Sequence, residues 1–231
     1  ESQMEFGPIM LAPPSQPTIG EITGIVLLID FDDDVRIISK TEIEQFCNLP
    51  GYAGYGNNGS VRDYFYEVSN GMLQYTNVVL QYVRIPNSLH PKSYYTDSSR
   101  DSGESANELI NDALNILTAQ PGFATEVAPL IDRASLNGQG QALALNVFYA
   151  GGNGGVWSAG LWPHMWGLYE TGAYQLTDRT RVFTYQITNM GSSLAIGTFC
   201  HENGHMICGY PDLYDYGYDS TGGAGQFCIM G

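Results

Sequence analysis

Residues 192–208 read SSLAIGTFCHENGHMIC, and this stretch is the most informative part of the chain. Its apolar residues recur at the spacing of one helix face, so we predict a helix here. Ser192 or Ser193 is expected to be the N-cap residue of this helix. The polar residues at its centre form the pattern His-Glu-x-x-His, which makes the predicted helix a candidate active-site helix.

The two histidines of this pattern, His201 and His205, are four residues apart and therefore lie on one face of a helix. Their imidazoles can bind a single zinc ion at about 2.0–2.1 Å. Glu202 is one step round the helix, from where it can act on a water molecule at the metal without being a ligand. Gly204 is unfavourable inside a helix, so we expect a close neighbour to pack against the helix there.

A third metal ligand must come from elsewhere in the chain. Within these 231 residues no glutamate follows Glu202, so they do not supply the later glutamate that one class of zinc peptidases uses as a ligand. Gly209 is suited to end the helix, and the turn after it can bring Asp212 back toward the metal. Asp215 and Asp219 are weaker candidates. The alternative role for Asp212 is that of a carboxylate capping the turn.

Upstream of this helix, predicted strands alternate with predicted helices. This order indicates an α/β or α+β fold in which a twisted mixed sheet packs against the active-site helix. We predict strands at residues 24–31 (GIVLLIDF), 73–85, 142–150 and 181–187, the last of them half-exposed. Helices are predicted after the caps Ser39 and Ser60, from a capping box at Ser105 to about Thr118, and after Thr125.

The net charge of the chain limits the kinds of molecule that it is expected to bind. Asp and Glu number 24 against 9 Lys and Arg, and the net charge of −15 argues against nucleic-acid binding. No run of apolar residues is long enough to cross a membrane. An acidic chain attracts cations, and Asp30 together with Asp32, Asp33 and Asp34 forms a candidate calcium site. The alternative for these aspartates is a solvated strand end.

The first 20 residues contain four prolines, and we predict an extended N-terminal leader at 1–20 followed by one domain at 21–231. The chain begins at Glu1 without a methionine, so we expect a processed or trimmed product. Few charged residues and many Tyr and Gly suggest a secreted protein. The four cysteines allow two disulfides in three connectivities, or else are buried thiols: Cys47, Cys200, Cys208 and Cys228.

Residues 201–215 (HENGHMICGYPDLYD) resemble the motif of the immune inhibitor A-like zinc metallopeptidases, H-E-x-G-H followed by P-D-x-Y-D. Residues 24–31, 59–65 and 149–155 also resemble that family. The resemblance implies a zincin-like, metzincin-like fold and a secreted zinc endopeptidase acting on proteins or peptides, with structural calcium in many members. It implies that His201, His205 and Asp212 bind zinc and that Glu202 is the general base.

Residues 227–231 (FCIMG) resemble the methionine turn of such enzymes, with Met230 as an apolar floor under the ligands. The alternative is an ordinary core methionine. A bridge between Cys208 and Cys228 would fit beside this floor. Because related enzymes continue beyond the turn, we expect the catalytic domain to be truncated at its C-terminus. One departure is that three residues, not two, separate His205 from Gly209.

Three further residues are candidates for the substrate cleft. His164 lies among aromatic residues and is either a buried core histidine or part of the cleft. Tyr210 or Tyr214 could stabilise a developing oxyanion.

The rival function is a binding or adhesin module that keeps the peptidase fold and metal, and the intact Glu202 argues against it. The sequence does not predict an oligomeric state.

Overall fold

The computed structural model describes residues 16–214 and 223–231. Its main feature is a five-stranded sheet. The strands of the sheet are β1 (Gly20–Phe31), β2 (Leu73–Ile85), β3 (Leu145–Tyr149), β4 (His164–Gly167) and β7 (Thr184–Asn189). Their spatial order is β2-β1-β3-β7-β4. Four strands are parallel, and β4 runs antiparallel to β7. β5 (Tyr174–Gln175) and β6 (Arg181–Val182) form a separate two-stranded sheet.

Strand β1 is buried on both faces, as its continuous apolar run predicted. Ile25, Leu27 and Ile29 belong to the core on one side of the sheet, whereas Val26 and Leu28 belong to the core on the other. Successive side chains of a strand alternate between its faces, so only a strand covered by helices on both sides has this composition. The predicted α/β class is therefore confirmed.

Helices cover both faces of the sheet. On one face lie α1 (Lys40–Asn48), α2 (Val61–Val68) and α6 (Ile196–Cys208). On the other lie α3 (Lys92–Tyr95), α4 (Ser102–Thr118) and α5 (Ala128–Ile131), the last preceded by a π-helical turn at Phe123–Val127. Short 3₁₀ turns occur at Gly54–Gly56 and Gly225–Phe227. In the part of the chain that is described, no helix has the length and apolarity to span a bilayer.

The caps of the first two helices are confirmed, but two predicted helix starts are wrong. Helix α4 begins at Ser102, not near Ser105, because the Asp101 carboxylate accepts the first free backbone N–H groups. Helix α6 begins at Ile196 after Ala195, and neither Ser192 nor Ser193 is its cap.

A residue distant in sequence replaces the expected serine at the start of α6. The Asn57 side chain accepts the Ile196 N–H at 3.0 Å and donates to the Leu194 carbonyl at 2.7 Å. The helix start is thus satisfied by a loop that follows α1. A local sequence pattern cannot reveal such a long-range cap.

The prediction of one half-exposed strand at 181–187 is also wrong. This segment divides into β6 and β7, and β7 lies inside the sheet between β3 and β4 with its central residues buried. Gln186 contributes to the alternation that suggested exposure, and it is polar but fully buried. The pairing of β1 with β2 contains one irregularity, a register shift between Val26 and Leu28.

The four cysteines are free thiols, so the expected bridge between Cys208 and Cys228 is not formed. Cys47, Cys200 and Cys208 are buried, which agrees with the alternative interpretation as core thiols. The N-terminal leader lies mostly outside the described residues. Within them, the Thr18 hydroxyl donates to the Ile207 carbonyl near the end of α6. The boundary between leader and domain stays a prediction.

Candidate active site

Helix α6 places His201 and His205 side by side at the floor of a cleft. Their Nε2 atoms are 3.1 Å apart. The Asp212 Oδ1 atom lies 3.1 Å from Nε2 of His201 and 3.0 Å from Nε2 of His205. The ligand atoms of these three residues are close enough together to hold a metal ion.

Backbone carbonyls fix how the two imidazoles are oriented. Nδ1 of His201 lies 2.7 Å from the Ile229 carbonyl, and Nδ1 of His205 lies 2.6 Å from the Tyr210 carbonyl. A carbonyl only accepts, so each Nδ1 carries a proton, and in a neutral ring Nε2 is then the acceptor.

With both rings neutral, three acceptor atoms face one another, an arrangement that favours a proton or a metal cation between them. In a tetrahedral site with bonds of 2.0–2.1 Å, neighbouring ligand atoms are about 3.3 Å apart. The distances of 3.0–3.1 Å between the three side chains are close to that separation. Two imidazoles and one carboxylate also match a catalytic zinc site that keeps an open position.

The turn after α6 delivers Asp212 to the histidines despite the additional residue before it. Gly209 has a φ of 63°, in the left-handed region that ends helices, and the Tyr210 N–H donates to the Gly204 carbonyl at 3.1 Å. The Leu213 N–H then donates to the Met230 carbonyl at 2.6 Å. Asp215 and Asp219 lie outside the described residues.

Met230 packs against α6 at Gly204, where the sequence predicted a close neighbour. A Cβ atom on Gly204 would lie 2.9 Å from the Met230 sulfur. Met230 is only 3% exposed. The glycine thus leaves room for the methionine, and the residue before it, Ile229, holds His201. The role of Met230 as a floor under the ligands stays a prediction.

Glu202 projects into the same cleft but is not one of the three converging residues. It is 8% exposed. Burial raises the pKa of its carboxyl group, partly offset by the two histidines and by a hydrogen bond with the Met165 backbone on β4. A buried, oriented carboxylate with a raised pKa beside a metal site is suited to accept a proton.

The electrostatics around the histidines favour positive charge. Burial lowers the pKa of His201, but the Asp212 carboxylate and the Ile229 carbonyl raise it more, to about 8. Burial also lowers the pKa of His205, but the Asp212 carboxylate and the Tyr210 carbonyl raise it more, so the pKa of His205 is raised as well. A site that stabilises a proton on these rings also stabilises a metal cation in the proton's place.

The cleft above these residues has a volume of about 1090 Å³. Strand β4 lies along it, and its walls are rich in aromatic side chains. Tyr210 and Tyr214 both line it, so both stay candidates for the oxyanion. His164 lines it too, with Nδ1 held 2.6 Å from the Trp162 carbonyl and Nε2 held 3.0 Å from the Tyr185 hydroxyl. The aromatic part of the wall consists of Trp157, Trp162, Trp166, Tyr169, Tyr210 and Tyr214.

The aspartates predicted to bind calcium have protein partners instead. The fully buried Asp30 carboxylate accepts from Arg84 at 2.6 and 2.8 Å and from Arg36 at 2.7 Å. Burial alone would raise its pKa, but the two guanidinium groups lower it below the usual value. Asp30 is thus an internal counter-ion at the end of β1.

The three following aspartates point to different donors. Asp32 accepts the Asn87 N–H at 3.0 Å, Asp33 accepts the Lys92 N–H at 3.2 Å, and Asp34 accepts the Lys92 ammonium at 2.8 Å. Among the described residues, these carboxylates are not gathered around a common point. A calcium site here stays a prediction, and the geometry does not favour it.

A second group with metal-ligand chemistry, formed by His90, Glu108 and Asp112, lies at α4. Its carboxylates already accept from Arg100 and from two tyrosine hydroxyls, Tyr94 on Glu108 and Tyr95 on Asp112 at 2.6 Å. Protein donors therefore satisfy this group.

The groups that orient the site could not be found by reading motifs. These groups belong to the main chain, so the type of side chain at their positions does not reveal them. They are the carbonyls of Ile229 and Tyr210 and the backbone of Met165. Two buried side chains did carry a signal. Asn146 interrupts the apolar run ALALNVFYA, and Asn203 occupies a helix interior.

Comparison with known proteins gives one result. The family described as immune inhibitor A peptidase M6, catalytic domain, matches residues 25–231. No curated protein matches the chain. The matched range begins within β1 and includes α6, the Asp212 turn and Met230.

Proposed function

We propose that this chain, which belongs to the immune inhibitor A peptidase M6 family, is a zinc-dependent endopeptidase. The family makes it a peptidase, and therefore a hydrolase with protein substrates. The identity of the metal, the endopeptidase specificity and the role of Glu202 are the proposed parts.

One observation carries the proposal: the convergence of His201, His205 and Asp212 within 3.0–3.1 Å of one another, beside Glu202. Two nitrogen ligands and one carboxylate oxygen suit zinc better than calcium or magnesium, which prefer oxygen alone. The cleft leaves an open side for water and substrate.

In the proposed hydrolysis of a peptide bond, the metal and the side chains of the protein have different roles. Bound zinc would polarise the scissile carbonyl and lower the pKa of water. Glu202 takes the proton from the attacking water and passes it to the leaving amine. Tyr210 or Tyr214 would donate a hydrogen bond to the developing oxyanion.

The exposed edge of the sheet supplies the means to align a substrate. Among the residues that the structure describes, β4 pairs only with β7, and it lies along the cleft. An extended peptide can add to such an edge by main-chain hydrogen bonds. This pairing suits an endopeptidase, because it needs no free end of the substrate.

The test measures zinc content and the cleavage of an unfolded protein. We expect one zinc per chain and cleavage at internal bonds, lost with a chelator and restored by zinc. Glu202→Gln should keep the zinc and lose activity by at least the roughly 10²-fold that removal of a general base costs. Glu44→Gln, on the exposed side of α1, is the matched control and should stay active.

Two outcomes would contradict the proposal. Cleavage that persists after chelation would exclude the metal mechanism. One bound zinc with no turnover of any protein would favour the rival, a binding or adhesin module that retains the peptidase fold.

We also propose that the protein is secreted, which is supported by the family resemblance and by a low content of charged residues, 14%. Detection of the protein in the medium or in the cells of its source would decide this. Structural calcium is proposed on the family resemblance alone. A melting temperature measured with and without millimolar calcium tests it.

A further inference from the structure

A cluster of buried polar side chains lies between α6 and the sheet, beneath the metal site. We call it the amide cluster. Its members come from three strands and the helix and are at most 7% exposed. They are Tyr75 and Asn77 on β2, Asn146 on β3, Gln186 on β7 and Asn203 on α6.

Asn203 is the member of the amide cluster that belongs to the active-site helix, α6. Its Oδ1 accepts the Tyr75 hydroxyl at 2.8 Å, and its Nδ2 donates to Asn146 Oδ1 at 2.9 Å and to the Phe199 carbonyl at 2.9 Å. The side chain is fully buried. Both ends of the amide are therefore used.

Asn146 joins the strands. Its Nδ2 donates to the Tyr75 hydroxyl and to Asn77 Oδ1, both at 2.8 Å, and its Oδ1 also accepts from Gln186 at 3.2 Å. These bonds pass over β1, which lies between β2 and β3. A Cβ atom on Gly24 of β1 would lie 2.6 Å from Asn77 Oδ1. The glycine thus leaves the space that the bonds need.

The position of Asn203 on α6 lets the amide cluster determine how the helix is rotated about its axis. Each residue turns a helix by about 100°, so Asn203 lies on the side opposite His201 and His205. Apolar contacts on that side are non-directional and would tolerate a small rotation of α6. The hydrogen bonds of Asn203 are directional and fix one rotation.

We propose that Asn203 is a positioning residue: through the amide cluster it sets the rotation of α6, so that His201, His205 and Glu202 face the cleft in the geometry needed for zinc binding and catalysis. The catalytic part of this inference rests on the proposed function. The zinc-binding part does not need turnover.

The experiment compares two variants with a control. Tyr75→Phe removes only the hydroxyl that donates to Asn203, and Asn203→Leu removes the amide itself. Tyr95→Phe is the matched control, since Tyr95 is also fully buried and its hydroxyl bonds to Asp112 on the opposite face of the sheet. Each protein is measured for melting temperature, for the zinc dissociation constant by competition with a chelating dye, and for kcat and KM on one peptide.

We expect Tyr75→Phe and Tyr95→Phe to lose similar stability. Only Tyr75→Phe should bind zinc more weakly, by about tenfold, the lower end of what changes in the groups supporting metal ligands produce. Its kcat should fall by roughly ten- to a hundredfold with little change in KM, because a small misplacement of catalytic groups has effects of that size. Asn203→Leu should show the same pattern more strongly.

Equal zinc affinity and kcat in Tyr75→Phe and wild type would overturn the inference, even if Asn203→Leu fails to fold. Equal losses of both in the Tyr95→Phe control would also overturn it, since the effect would then follow stability alone. If the wild type hydrolyses no peptide, the proposed function fails, and the zinc affinities still decide whether Asn203 positions the ligands.

Discussion

Replacing Gly204 by alanine should weaken zinc binding although alanine is the better helix former. Alanine favours the helix by about 1 kcal/mol over glycine. The added Cβ would lie 2.9 Å from the Met230 sulfur, however. An ordinary contact is about 3.5–4.0 Å, so Met230 must retreat by roughly 0.6–1 Å.

Because Met230 is buried, we expect part of this displacement to pass to its main chain and so to the metal site. Met230 follows Ile229, whose carbonyl lies 2.7 Å from Nδ1 of His201. Forcing a methyl group into a packed core costs about 1–3 kcal/mol, which the helix propensity offsets in part. We therefore expect the free energy of unfolding of the zinc-free protein to fall by between zero and about 2 kcal/mol. Zinc affinity should fall by about 10- to 100-fold, because the support of His201 moves.

Gly197→Ala in the same helix is the control, because a Cβ there meets no atom within 4 Å. It should stabilise the protein by up to about 1 kcal/mol and leave zinc affinity unchanged. Urea unfolding gives the stabilities, and competition with a chelating dye gives the affinities. If Gly204→Ala is stabilised like Gly197→Ala and binds zinc as tightly as wild type, the argument from Met230 is refuted.

Two further predictions concern charged groups. Asp212→Ala should weaken zinc binding by at least tenfold in a zinc titration while α6 keeps its helical circular dichroism, because one of the three proposed ligands is lost; unchanged affinity would exclude Asp212 as a ligand. Asp30→Asn should lower the free energy of unfolding by about 2 kcal/mol near neutral pH, since a buried carboxylate loses hydrogen bonds to Arg84 and Arg36. The folded-state pKa of Asp30 is lowered from 3.8, so its contribution is complete above that value and is lost as the pH falls below it. Denaturation curves of Asp30→Asn and wild type should therefore converge in acid, and a constant difference would contradict the assignment.

Much of the fold could be predicted from the sequence because its local patterns agree with the tertiary structure. The apolar run of β1 predicted a strand covered on both faces, and the Ser60 cap predicted the start of α2. The prediction failed where distant residues decide. Asn57 caps α6 from another loop, and buried hydrogen bonds make β7 an interior strand despite its polar residues.

In the candidate active site, too, local sequence patterns predicted some features, whereas others depend on residues distant in the chain. The spacing of His201 and His205 was enough to predict that their rings meet, because a helix has fixed geometry. Asp212 could be named as the leading candidate for the third ligand from its turn, but its distance to the rings depends on the left-handed Gly209. The support from the Ile229 carbonyl could not be predicted, since any residue offers the same carbonyl.

The cap of α6 by Asn57 also bears on when the enzyme becomes active during its synthesis. The 13-residue helix lacks a cap of its own, contains Gly204, and is too short to be stable alone in water. It becomes ordered only when it docks on strands and a loop that precede it in the chain. A nascent or partly unfolded chain therefore cannot hold its two histidines in register. We expect proteolytic competence to appear only once the fold is complete.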